Sequence, residues 1–280
     1  MAVDVTIKSK GLFKKELKLE DILLDNQSYG IMDENFRLEE GKTGDFTVIF
    51  NKNNICRGYE LSIKKGEINL SMPLPTSDDD ITFFYEYIKF ICQKMNTKVF
   101  TRGEEEVSID RIQEFIDLDI NTSEQALKQI EENINNGTYE NMYIFGALNP
   151  ISIGKKELDK IKCSPKKLGE LLNDLQSTDA YYAAPKVYQK STKELFGIYI
   201  LTEDVLSILP YKPTLLTSND IKVEEWYIGF VIDENLAGSI SYKDFISSVK
   251  KAKEYDTEHF ILSLNKEKMQ KLLQKYRAEI

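Results

Sequence analysis

Residues 77–95 carry the pattern that most restricts how this chain can fold. Ser77-Asp78-Asp79-Asp80 precedes a run in which Ile81, Phe84, Tyr85, Ile88, Ile91, Cys92 and Met95 recur at helical spacing. Ser77 is placed to cap the free amides of a helix, and Asp80, three residues on, to complete a capping box. The carboxylates also suit the positive end of the helix dipole. Phe83, Tyr87 and Phe90 widen the apolar stripe, so that Glu86, Lys89 and Gln93 form only a narrow polar edge. A helix this apolar has to be covered on more than one side. It is expected at the centre of its unit.

The segments before it read as strands. Phe46, Val48 and Phe50 alternate, as do Tyr59, Leu61 and Ile63 before Lys65-Gly66, and Ile68, Leu70 and Met72 after it. Side chains on a strand point to opposite faces at period two, so 59–72 predicts a hairpin with one apolar face. Pro73 and Pro75 lack the N–H that a sheet ladder needs and should end it. A strand around Val99 and a helix from Ser108 carrying Ile109, Ile112 and Ile116 follow. A second capped helix is predicted from Thr122 to Gly137, with Leu127, Ile130 and Ile134 on its apolar face. After an apolar strand at 142–148 come a short helix with Leu158 and Ile161, then one opened by Ser164-Pro165 and buried through Leu168, Leu171, Leu172 and Leu175.

The last hundred residues return to strands. The segments 186–189 and 195–201 flank a Ser-Thr-Lys turn, and Trp226, Ile228, Phe230 and Ile232 alternate. Ser241 to Asp244 repeats the capping box, and a strand at 258–264 leads into a helix with Met269, Leu272, Leu273 and Tyr276. Both ends of the chain thus run strand, strand, capped helix, strand, helix. Residues 96–100 align with 256–260, sharing Thr97 with Thr257 and Phe100 with Phe260, and the capped helix is about one turn shorter in the second copy. The expected architecture is α+β: two ββαβα-like halves, 1–120 and 179–280, related by a possible internal duplication. A helical segment, 121–178, would join them in one compact unit.

Composition narrows the function classes. The chain has 280 residues, 41% apolar and 30% charged, and a net charge of −9. Such a balance describes a globular, acidic protein and argues against a dedicated nucleic-acid binder, which carries a basic excess. No stretch reaches the ~18 uninterrupted apolar residues of a membrane helix, and the N-terminal segment lacks the apolar run of a signal peptide. Cys56, Cys92 and Cys163 are odd in number and far apart, which favours reduced thiols and a cytosolic setting. With one histidine, His259, the usual zinc sites lack ligands. Phosphate loops, dinucleotide turns and nucleophile elbows are absent from the sequence. No cofactor is expected.

Two sets of residues remain as candidate binding features. Five tyrosines fall in one strand-rich stretch of the second half: Tyr181, Tyr182, Tyr188, Tyr199 and Tyr211. Tyrosine combines apolar area with a polar tip and suits interfaces. Glu203 and Asp204 follow a strand end beside them, where a catalytic carboxylate pair would need a particular separation across a cleft. The lysines 155, 156, 160, 162, 166 and 167 oppose only Glu157 and Asp159, and read as the wet side of two short helices. The sequence therefore predicts a non-catalytic protein acting through protein–protein contact or self-association. The alternative is an enzyme using carboxylate and tyrosine chemistry on a small polar substrate.

The stretches Ile7-Lys8-Ser9-Lys10-Gly11-Leu12, 179–185 (Asp-Ala-Tyr-Tyr-Ala-Ala-Pro) and 196–210 (Phe-Gly-Ile-Tyr-Ile-Leu-Thr-Glu-Asp-Val-Leu-Ser-Ile-Leu-Pro) carry a resemblance. Through them the chain resembles an uncharacterised domain-of-unknown-function family of Gram-positive bacteria over nearly its whole length. The resemblance implies a bacterial, cytosolic setting and assigns no catalytic residues.

Overall fold

The structure, a computed structural model, describes residues 1–9, 17–216, 221–249 and 252–278. Lys10, Gly11 and Leu12 of the resemblance stretch lie outside them. The chain is α+β, and by its contacts it divides into two compact units, Met1–Ser177 and Thr178–Ile280.

The first unit begins with β1 (Ala2–Lys8), a short α1 (Leu19–Ile22), β2 (Gln27–Met32), β3 (Leu38–Glu40) and β4 (Thr47–Asn51). Next come β5 (Tyr59–Lys64), β6 (Glu67–Pro73), α2 (Asp78–Lys94), β7 (Val99–Arg102), β8 (Glu105–Ser108) and α3 (Ile112–Asn135). It closes with β9 (Met142–Phe145), β10 (Pro150–Ile153), α4 (Lys155–Ile161) and α5 (Pro165–Gln176). Strands β1 to β8 form one antiparallel sheet in the order β3-β2-β4-β5-β6-β1-β7-β8. The predicted hairpin is present, with Ile63 opposite Ile68 and Leu61 opposite Leu70. Val48, Ile49 and Phe50 are all buried, so β4 does not alternate as expected, and Phe46 is exposed.

Helix α2 packs in the core with Ile81, Phe83, Phe84, Tyr85, Tyr87 and Ile88 all buried. Each such side chain withdrawn from water contributes about 1.5–3 kcal/mol, which is why a helix with so narrow a polar edge is stable here. The Ser77 hydroxyl accepts from the Asp80 amide, as a cap should. The Asp80 side chain does something else. Its Oδ2 accepts from the backbone amides of Arg57 (2.8 Å) and Gly58 (3.0 Å) and from Thr76 Oγ1 (2.8 Å). Instead of closing a capping box it clamps the loop before β5. Gly58 has φ +66 and its Cβ position is 2.4 Å from the Ile49 carbonyl oxygen, so no other residue fits the clamp.

The second capped helix expected at 122–137 is not a separate element. One continuous α3 runs through it, and the Thr122 hydroxyl donates to the Leu118 carbonyl four residues back. A domain boundary after residue 120 would cut this helix. Residues 121–177 pack within the first unit: Leu127, Ile130, Ile151, Leu158, Leu168 and Leu172 form a cluster that includes Cys56. Gln176 Nε2 donates to the Cys56 carbonyl at 2.7 Å, and Asn173 accepts from the Ile55 amide at 2.8 Å. Arg102, Tyr85 and Asp119 form a closed triangle tying β7, α2 and α3 together.

The second unit contains β11 (Tyr181–Tyr182), β12 (Lys186–Gln189), β13 (Leu195–Thr202), β14 (Ser207–Pro210), β15 (Glu225–Ile232) and β16 (Asn235–Ser241). They are followed by α6 (Tyr242–Ser248), β17 (Lys253–Glu254), β18 (His259–Leu262), α7 (Lys266–Tyr276) and β19 (Arg277–Ala278). One sheet has the order β12-β13-β15-β16-β19, with β13 parallel to β15; the other is β11-β14-β18-β17. Ile228, Phe230, Ile240, Phe245, Phe260 and Met269 lie in its core. The strand-helix order at the two ends of the chain is similar, but the sheets are not. β7 shares the sheet of the β5–β6 hairpin, whereas β18 lies in a different sheet from β15–β16. The capped helices also differ more than expected, 17 residues in α2 against 7 in α6.

Candidate functional site

The second unit carries an aromatic groove built on one close backbone approach. In the parallel pair β13–β15, Gly197 stands opposite Trp226. A methyl group on Gly197 would lie 2.3 Å from two carbons of the indole ring. Only a hydrogen at that position lets the indole lie against β13, where its ring centre is 5.8 Å from that of Tyr199. Tyr199 in turn packs on Tyr242 at 5.4 Å. The two hydroxyls fix the neighbouring loop. Tyr242 donates to the Pro210 carbonyl, and Tyr199 donates to the Thr214 carbonyl at 3.1 Å. Burial raises the pKa of both phenols, so they stay protonated donors.

The loop so held brings Tyr211 and Pro213 to face Trp226, Tyr242 and Ile246 across a cavity of about 530 Å³. Tyr211 is exposed, yet its ring rests 5.1 Å from that of Phe260 and its amide donates to the Glu258 carbonyl. The rim is charged. Glu225 is engaged by Lys190 and by the Tyr227 hydroxyl, and the Lys190 contact holds its carboxyl below the usual range. Lys212 and Lys243 are exposed at the rim and make no ion pair among the described residues. Rigid aromatic area, a half-buried tryptophan and a polar rim are the composition of a protein-contact hot spot.

The predicted residues scatter around this groove. Tyr211 lines it. Tyr188 is exposed on the edge strand β12 and stacks on Phe196 at 5.6 Å. Tyr181 is exposed on β11, but its neighbour Tyr182 is buried, and the Tyr182 hydroxyl lies 3.0 Å from His259 Nε2. His259 Nδ1 is 2.8 Å from Asp256 Oδ1, which also accepts from the His259 and Glu258 amides. With the Asp256 oxygen accepting from Nδ1–H, Nε2 is left to accept from Tyr182. This buried chain fastens β11 to β18.

Glu203 and Asp204 point to different tasks. Glu203 accepts from the Asp233 amide at 2.8 Å, bridging two turns. Asp204 sits at φ +58 in a turn, its amide donating to the Leu264 carbonyl. Among the described residues, no group of three or more His, Cys, Asp or Glu side chains is placed to hold a metal ion, and no helix is long and apolar enough to cross a membrane. The six lysines of 155–167 are all exposed on α4, α5 and the turn between them.

Trp226 and Gly197 were not singled out from the sequence as binding residues. Trp226 alternates with Ile228 and Phe230 and so reads as one more core residue. The available signal was a glycine inside a strand pattern, which marks a close approach.

A family model described as a domain of unknown function (DUF4299) matches residues 2–272. No curated protein and no solved structure matches the chain.

Proposed function

Since the chain belongs to the DUF4299 family, a domain of unknown function, its role has to be read from its own surfaces, and we propose that it is a non-catalytic cytosolic protein that works by holding another protein in the Trp226 groove. The observation that carries this reading is the seating of Trp226 on Gly197. A large aromatic side chain is kept half-exposed and rigid, at the cost of a strand glycine, beside an exposed Tyr211. Pre-organised aromatics lose little entropy on contact, which is what makes them binding anchors. The free lysines at the rim suit a partner segment with an apolar anchor flanked by carboxylates. Self-association through the same groove would need such a segment on a second copy.

The test uses the full tagged chain recovered from its native cells in wild-type, Trp226→Ala, Tyr211→Ala and Tyr139→Ala forms. Tyr139 is exposed in the first unit and serves as control. The reading expects a discrete companion protein, or a second copy, held by the wild type and the control and lost from both groove variants. Companions unaffected by the groove variants, or none in any form, would overturn it.

The enzyme alternative rested on Glu203 and Asp204 as a pair. The Glu203 carboxylate and the Asp204 backbone amide are engaged in separate turns, as described above, and the groove's own carboxylate, Glu225, is taken up by Lys190 and Tyr227. Contact is therefore the better-supported reading.

A further inference from the structure

The first unit has a second cavity, independent of the groove, of about 280 Å³. Arg57 lies along it, half-buried, with Phe36, Phe145, Tyr59, Met32 and Pro73 around it. The guanidinium is held in place by two carbonyls: Nε donates to Phe145 (3.0 Å) and Nη1 to Pro75 (2.7 Å). Nη2 has no hydrogen-bond partner among the described residues, and the guanidinium makes no ion pair with any described carboxylate. Asp80, its acidic neighbour, spends Oδ2 on the Arg57 and Gly58 backbone amides and on Thr76. Burial accordingly lowers the Arg57 pKa to about 10, against the field of Asp80.

Phe36 adds a second sign of construction. It occupies the left-handed region at φ +57, a conformation that a bulky side chain rarely adopts. That conformation belongs to the turn in which the Phe36 amide donates to the Asp33 carbonyl, and its ring comes to 4.3 Å from that of Phe145 across the cavity wall. Strained backbone retained beside a cavity points to use rather than to packing alone.

We infer that this cavity binds a small carboxylate carrying an apolar or aromatic body. A guanidinium with N–H donors to spare matches a carboxylate in shape and charge. A phosphate would call for more donors than one side chain supplies, and the walls are apolar. Glu60, exposed at the rim, further disfavours a dianion. The apolar walls fit the body of the ligand, and the carboxylate meets a guanidinium edge that makes no direct ion pair with the described residues. The same chemistry exists in a free acid and in the C-terminal residue of a peptide.

Ligand-observed NMR on the full chain separates these cases. Phenylacetate is compared with phenylacetamide, and Gly-Gly-Phe with its C-terminal amide. The acid is expected to bind about tenfold more tightly than its amide, the usual gain from a charge-assisted bond. Preference for phenylacetate alone identifies a free acid, and a matching preference for the free tripeptide identifies a peptide terminus. Arg57→Gln should erase the preference. Because Arg57 also braces two carbonyls, Ala2→Trp provides a second variant: Ala2 is exposed on β1 beside the cavity, and the larger ring should block both probes without touching the guanidinium. Equal binding of acid and amide, binding unaffected by Ala2→Trp, or no binding of any probe would overturn the inference. None of these results bears on the groove of the second unit.

Discussion

Gly197 lies directly beneath the indole of Trp226, so close that a single methyl group would collide with the ring at 2.3 Å. Gly197→Ala must therefore lift the indole or push β13 and β15 apart. Overpacking of this kind costs about 1–3 kcal/mol. Trp226 is the only tryptophan in the chain, so intrinsic fluorescence reads the groove directly. We expect a shifted emission maximum and a lower urea midpoint for Gly197→Ala. Unchanged emission and stability would show that the indole does not rest on the glycine.

The buried chain from Asp256 through His259 to Tyr182 predicts graded losses. Tyr182→Phe removes the hydroxyl that lies 3.0 Å from His259 Nε2 and so one hydrogen bond, for about 1 kcal/mol. Asp256→Ala strips the acceptor shared by the His259 ring and two amides, and should cost more, about 1–3 kcal/mol for each donor left buried without a partner. Denaturant unfolding of the two variants tests the order. Equal or negligible losses would mean that this chain does not fasten β11.

Asp80 predicts a pH dependence of known sign. Its pKa is raised, first by desolvation and against the opposing pull of the amides it accepts from. A carboxyl whose folded pKa exceeds its unfolded value binds protons more tightly when folded. Its favourable contribution is complete below the unfolded pKa of about 3.9 and is lost as pH rises through the higher folded value. The stability of the wild type relative to Asp80→Asn should therefore fall as pH rises from about 4 towards neutrality. A difference that stays flat, or that grows with pH, would contradict the assignment.

The three thiols should be slow to react. Burial pushes Cys56 and Cys92 up to about 12, while desolvation and the neighbouring Glu131 carboxylate push Cys163 up to about 11. Thiolate is the reactive form, so a disulfide reagent at pH 8 should modify the native chain slowly, Cys163 first because it alone is not fully buried. Denaturation should release all three. Rapid labelling of Cys56 in the native protein would place it outside the core.

What could be read from the sequence was what depends on neighbours along the chain. The 59–72 hairpin, the Ser77 cap, the apolar helix behind it and the Ser164-Pro165 helix start all follow from spacing, and each is present. What could not be read depends on partners far away. Asp80 at the N3 position looks like a capping-box residue until the fold brings the Arg57 and Gly58 amides to it from more than twenty residues upstream. Thr122 resembles a cap because its hydroxyl can bond locally in either setting; burial of Phe115, Ile116, Leu127 and Ile130 carries the helix straight through it. Tyr182 and Tyr211 look equivalent as strand tyrosines. Only the pairing of β11 and β18 on either side of β14 buries the first against His259, while the second stays exposed.

The central claim is that the Trp226 groove holds a protein partner. A benzophenone amino acid placed at position 211 in the full chain and irradiated in native cells tests it most directly, with the same probe at position 139 as reference. The account predicts a discrete cross-linked product from position 211, absent from position 139 and abolished by Trp226→Ala. No product from position 211, or the same products from both positions, would contradict it.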